Sequence, residues 1–211
     1  MTCKLLVLIS GNGSNLQAII DACAAKAIGA EIVGVICNVP GAFGLERAKR
    51  AGIATAVVDH KAFASRTEFD AALLQTMQQF DADLVVLAGF MRILSADLVN
   101  AYAGRMLNIH PSLLPKYPGL HTHQRALDAG DAEHGCTIHF VTADLDGGPL
   151  IAQAACPVLP DDDAARLAQR VHPLEHRLYP EVIAWYASGR LRYQQGQAVL
   201  DGHPLTSPVL Q

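Results

Sequence analysis

The chain has 211 residues, 51% of them hydrophobic and only 17% charged, enough apolar material to bury a substantial core, and it reads as one domain spanning residues 1–211. A formal net charge of −4 with no run of lysines or arginines excludes an obvious docking stripe for tRNA or DNA. Five scattered cysteines without a C-x-x-C pair argue against a disulfide framework and a zinc ribbon, and the longest apolar run, Leu84 to Phe90, is far too short to span a bilayer, so a cytoplasmic protein without membrane association is expected.

In chain order, short apolar runs alternate with helical patterns. Strands are expected at Lys4–Ile9, Glu31–Cys37, Ala54–Val58, Leu84–Ala88, Arg105–Ile109 and Cys136–Val141, the early ones as rich in Val, Ile and Leu as doubly covered parallel strands should be. Helices are expected at Ser14–Lys26, Leu45–Ala51 and Arg66–Phe80, the last with Phe69, Leu73, Met77 and Phe80 on one face. Right-handed crossovers then give an α/β fold: a doubly wound, mostly parallel twisted sheet with helices on both faces. After Phe140 the pattern changes, and Leu150 to Val158 is expected to pair antiparallel with its neighbour. A long helix opens at Asp161-Asp162-Asp163 and runs toward Gly189, with Pro173 and Pro180 expected to kink or break it. Residues 190–211 read as a peripheral strand pair and a loose tail.

The chemistry concentrates in two places. Asn108 and His110 are two apart in an extended run and so share a face, while Asp146 lies in the turn Leu145-Asp146-Gly147-Gly148-Pro149. An amide and an imidazolium can stabilise the oxyanion that forms when an amine attacks a carbonyl, and a carboxylate can hold the imidazole charged and collect the amine's proton. No covalent nucleophile is needed, and Ser112 lacks the turn that would make it one. Separately, Gly11-Asn12-Gly13-Ser14-Asn15 lies between the first strand and its helix, where free N–H groups and the helix dipole suit a phosphate. The third glycine of a dinucleotide fingerprint is replaced by Leu16, no acidic residue ends the second strand, and no G-K-[S/T] follows. His121, His123, His134 and His139 with Cys136 fall close together but lack a zinc-site spacing, so no metal is expected. The Gly119 to Gly130 stretch, with Thr122 as a possible N-cap, reads as a mobile flap over the site, and His139 as either a support for the catalytic group or a satisfied core histidine.

Taken together, the segment Asn108 to Gly119, the Leu145 to Pro149 turn, the glycine loop at 11–15 and Ala88-Gly89-Phe90-Met91-Arg92-Ile93-Leu94 resemble the folate-dependent formyltransferases over residues 4–188. The resemblance implies a single formyltransferase domain, with residues 1–100 as its phosphate-binding half, 101–189 as its catalytic and folate half, and 190–211 peripheral. It further implies 10-formyltetrahydrofolate as co-substrate, 5-phosphoribosyl glycinamide as acceptor, and a monomer or weak homodimer. Asn12, Gly13, Ser14 and Asn15 would hold the phosphate and Glu175 the ribose. Arg66, Met91, Arg92, Ile93, Leu94 and Asn108 would line the folate pocket, and Asn108, His110 and Asp146 would act on the formyl group. His172 falls where relatives offer a polar or basic group to the phosphate, and Ala143 stands where an acidic residue often precedes the Leu-Asp-Gly-Gly turn. The family also contains members that formylate charged tRNA or pass the formyl group to water. A noncatalytic phosphate-binding module is the remaining alternative.

Overall fold

The computed structural model describes residues 2–211. Its strands are β1 (Cys3–Ile9), β2 (Ala30–Cys37), β3 (Thr55–Val57), β4 (Leu84–Leu87), β5 (Met106–His110), β6 (Glu133–Phe140), β7 (Leu150–Pro157), β8 (Leu191–Gln194), β9 (Gln197–Leu200), β10 (His203–Pro204) and β11 (Val209–Leu210). The helices are α1 (Ser14–Ala24), α2 (Phe43–Arg50), α3 (Arg66–Gln78), α4 (Ala96–Ala101), α5 (Thr122–Asp128) and α6 (Ala164–Ala187).

Eight strands form one sheet in the order β11-β7-β6-β5-β4-β1-β2-β3, and β8, β9 and β10 form a small antiparallel sheet beside it. The pairs from β3 through β5 are parallel, whereas β5–β6 and β6–β7 are antiparallel. Burial follows the strand alternation. On β1, Leu5, Val7 and Ile9 pack with residues of α1, α2 and α6, while Leu6 and Leu8 pack with residues of α3 and α4. Helices therefore cover both faces, which is why β1 and β4 read as unbroken apolar runs.

Three expectations need correction. Helix α6 runs unbroken through Pro173 and Pro180. Its buried stripe of Leu167, Val171, Leu178, Tyr179, Val182 and Ile183 lies in the core, and at about 1.5–3 kcal/mol per buried side chain that packing outweighs two prolines at about 3 kcal/mol each. The segment after Gln194 is not a loose tail, because β11 pairs in parallel with β7 and completes the main sheet. Thr122 is not an N-cap. His121 takes that position in a left-handed conformation, and the Thr122 hydroxyl donates instead to Pro111 O at 2.6 Å.

Parallel strands leave their carboxyl ends together, so the loops after β1, β4 and β5 meet at one edge of the sheet. The antiparallel return of β6 ends beside the amino end of β5, where Val141 N donates to Met106 O, and the segment between β6 and β7 folds back from there so that Asp146 reaches His110. Close packing holds that return in place: a Cβ added at Gly135 would run into the carbonyl of Ala154, and one at Gly148 into the carbonyl of Phe140.

Candidate active site

At that edge lies a cavity of about 840 Å³, lined by the glycine loop, residues 87–94, the end of β5, the Gly119–His123 segment, the turn at 141–146, and His172 and Glu175 of α6. The glycine loop forms one end of it. Gly13, at φ +74°, stands as N-cap of α1, and no side chain caps the helix, so its first backbone N–H groups are left for a ligand. Ser14 is the first helical residue and does not cap the turn. The loop lies so close to α2 that an added Cβ at Gly13 would sit 2.8 Å from the Cα of Gly44, whose own N–H donates to Gly11 O at 3.0 Å. Arg47 of α2 secures the loop from outside, its Nε donating to Asn12 O and a terminal nitrogen to Asn12 Oδ1, both at 2.9 Å.

Asn15 and Glu175 form the inner wall of this end. Both are buried, and Asn15 Nδ2 donates to Glu175 Oε2 at 2.9 Å. Burial raises the Glu175 carboxyl above the usual carboxylate range, opposed by that hydrogen bond. His172 lies one turn before Glu175 on α6 and also faces the cavity.

The other end gathers the amide, imidazole and carboxylate. Pairing of β5 with β6 sets Asn108 opposite His139. The His139 Nδ1–H donates to Phe140 O at 2.9 Å, so its Nε2 carries the lone pair and accepts from Asn108 Nδ2 at 3.1 Å. Burial lowers the His139 pKa and favours this neutral form. With one amino hydrogen of Asn108 so committed, the other is left toward the cavity.

His110 is buried at the end of β5, and its Nε2–H donates to Tyr117 O at 2.8 Å. Its Nδ1 faces Asp146 Oδ2 at 3.4 Å. Both ring nitrogens of His110 thus face acceptor oxygens. Asp146 adopts a left-handed φ of +50°, and its Oδ2 accepts from Gly119 N at 2.8 Å while Oδ1 lies 3.8 Å from His139 Nε2. The loop from Pro111 to Tyr117 that presents the Tyr117 carbonyl is tied to β6 and β7. Thr137 Oγ1 donates to Ser112 O at 2.6 Å, and Gln153 Nε2 donates to Leu114 O at 2.7 Å; the Leu114–Pro115 bond is cis.

Most of the residues expected to line a folate pocket follow β4, the strand between β1 and β5, and Arg66 comes from α3. Arg66, Met91, Arg92, Ile93 and Leu94 all border the cavity, and Met91 and Ile93 are 68% and 53% exposed, so they form its rim and not ordinary core. Arg66 Nε lies 4.0 Å from the buried Asp70 carboxylate, and Arg92 stands over the Phe69 ring.

The histidine cluster splits up. His123 Nδ1 and His134 Nε2 are 3.0 Å apart in a contact that both rings cannot make when charged, and burial pulls the His123 pKa down to about 4. Among the described residues no three potential ligands converge on a metal position. Arg47, Thr137 and Gln153 escaped the sequence reading, since nothing local marks a residue whose partner lies in another element.

Residues 3–183 match the family described as formyl transferase. The chain belongs to the formyl transferase family. It is 56% identical over 202 residues to the phosphoribosylglycinamide formyltransferase of Escherichia coli, covering 96% of this chain and 95% of that one. A solved phosphoribosylglycinamide formyltransferase from Coxiella burnetii superposes with a TM-score of 0.94 at 53% identity, covering 100% of this chain and 99% of that one. A glycinamide ribonucleotide transformylase from Symbiobacterium toebii gives 0.91 at 47% identity over 94% of each chain. The doubly wound, mostly parallel formyl transferase fold expected from sequence is the fold observed, and no helix among the described residues is long and apolar enough to cross a membrane.

Proposed function

We infer that this formyl transferase moves the formyl group of 10-formyltetrahydrofolate onto the amine of 5-phosphoribosyl glycinamide, a step of purine biosynthesis. The observation that carries the reading is the convergence of Asn108, His110 and Asp146 on one wall of a cavity whose far end is an uncapped helix N-terminus. The relatives' names support the acceptor.

The mechanism we propose has three parts. The phosphate sits on the N–H groups of residues 13–15 beside Asn12, with Glu175 turned to the ribose, and this end fixes where the free amine points. The folate's ring system lies along residues 91–94 with Arg66 near its acidic end, placing the formyl carbon beside Asn108. The amine attacks, and charge collects on the formyl oxygen. The free hydrogen of Asn108 Nδ2 and the Nδ1–H of His110 receive it, a preorganised donor being worth about 3–4 kcal/mol. At 3.4 Å the contact from His110 to Asp146 is longer than a full charge-assisted bond of about 2.7–2.9 Å, so that N–H has room to be shared with an oxygen entering from the cavity. Asp146 keeps the imidazole charged and relays the amine's proton, directly or through water, toward the departing folate nitrogen.

The test is tetrahydrofolate release from 10-formyltetrahydrofolate with ribosyl glycinamide phosphate, with water alone, and with charged tRNA. Turnover only with the first supports the reading, whereas equal turnover with water or tRNA would reassign the acceptor. The reading also takes the chain as a cytoplasmic monomer or weak homodimer, which sedimentation at micromolar concentration checks for oligomeric state.

A further inference from the structure

From the wall of the cavity a chain of polar contacts leads back into the fold, and the proposed mechanism gives it no work. Ser10 lies directly after β1, one residue before the glycine loop, and borders the cavity. Its hydroxyl accepts the N–H of Met91 at 2.8 Å and donates to Asn38 Oδ1 at 2.5 Å. Asn38, directly after β2, is only 2% exposed, and its backbone oxygen accepts from His60 Nδ1 at 2.8 Å. One buried amide, anchored from the turn beyond β3, thus aims a serine hydroxyl at the first residue of the segment lining the middle of the cavity.

That segment has little else at its near end. Met91 is largely exposed, Gly89 two residues earlier has a left-handed φ of +78°, and Met91 carries no helical or strand pairing. Its N–H is already taken by Ser10, so it is not a free donor for a ligand, and the work it can do is to fix the path of the backbone that follows.

We propose that Ser10 is a positioning residue for the folate-facing segment 91–94, its oxygen kept free to accept from Met91 because its hydrogen is donated to Asn38. This rests on the folate reading of the cavity. Removing the hydroxyl frees one end of the segment, weakening the co-substrate that lies along it, while the phosphate cradle keeps its own anchors in Gly44 and Arg47. A residue that served stability alone would lower the melting temperature and the active fraction without separating the two substrates.

The experiment measures KM for both substrates, kcat, melting temperature, and the Kd of 10-formyltetrahydrofolate by calorimetry in Ser10→Ala, Ser10→Thr, Asn38→Ala and the Ser10→Ala/Asn38→Ala double variant. In Ser10→Ala, KM and Kd for the folate rise about fivefold, the loss of one net hydrogen bond, with kcat and KM for the glycinamide within about twofold of the native values. Ser10→Thr keeps the hydroxyl and recovers most of the affinity. Asn38→Ala moves the folate constants in the same direction, and the double variant is no worse than Ser10→Ala alone because both act through one contact. Unchanged folate constants in Ser10→Ala, equal rises for both substrates, or an additive double variant would overturn the proposal. A native chain that binds the folate but does not formylate the glycinamide would sink the acceptor reading and leave the calorimetric comparison intact.

Discussion

The two ends of the cavity are built on opposite plans. The end proposed to hold the phosphate follows β1 into α1 and is made of backbone: a left-handed glycine and uncapped helical N–H groups, with side chains as props. The end proposed to carry the transfer follows β5, and its polar groups are side chains whose aim depends on the antiparallel register between β5 and β6 and on a turn that places Asp146 at positive φ. A backbone cradle tolerates side-chain change and fails when the chain path is altered. A side-chain cluster fails when any one member is lost, even if the path is intact.

That contrast can be broken or sharpened by substitution. The largest effect is expected for Asp146→Asn, which keeps the shape of the turn but removes both the charge facing His110 and the proton acceptor: tetrahydrofolate release should fall about a thousandfold, with the thermal midpoint nearly unchanged. Asn108→Ala should cost at least about a hundredfold in turnover, with single-turnover kinetics placing the loss in the chemical step. At the cradle, Gly13→Ala should act on binding and folding together, because a side chain there is strained at φ +74° and crowds Gly44; a rise in KM for the glycinamide and a loss of about 1–3 kcal/mol in denaturant unfolding are expected. Arg47→Ala should be milder, raising KM for the phosphate-bearing substrate several-fold while KM for the folate stays put. Were Gly13→Ala to alter kcat alone, the division between the two ends would be wrong.

The smallest effect concerns pH. The His123 pKa is depressed in the folded chain to about 4, below the ordinary histidine value near 6.5, so between these values the unfolded chain binds a proton that the folded chain excludes. Stability from this group is therefore present above about pH 6.5 and drains away as pH falls toward 4. Melting curves from pH 7.5 to 4.5 should show a steeper acid loss in the native chain than in His123→Asn.

How much of this was legible in the sequence depended on how far apart the cooperating residues lie. The parallel strands announce themselves because β1 and β4 are buried on both faces, and the pair Asn108 and His110 because a strand repeats every two residues. Asp146 was legible from its turn residues, and the loop proposed to hold the phosphate from its two glycines. His139 remained ambiguous until the register with Asn108 was known, since the same residue with Nδ1 on a carbonyl would equally be a satisfied core histidine. Thr137 and Gln153 tie down a loop more than 20 residues away, and no local pattern encodes that. Helix α6 misled for the converse reason: proline has a strong local signature, whereas the packing that overrides it comes from the whole sheet.

The tight seam between β6 and β7 has one more implication. Gly135 and Gly148 lie at opposite ends of that hairpin, each pressed against a carbonyl of the facing strand, so neither can gain a methyl group without prying the strands apart. Were β6 displaced by a single residue against both β7 and β5, His139 would turn to the opposite face and Asn108 would lose the ring that orients it. Two hydrogens in place of side chains, on residues that do not line the cavity, thus help to hold the strand whose histidine orients the amide.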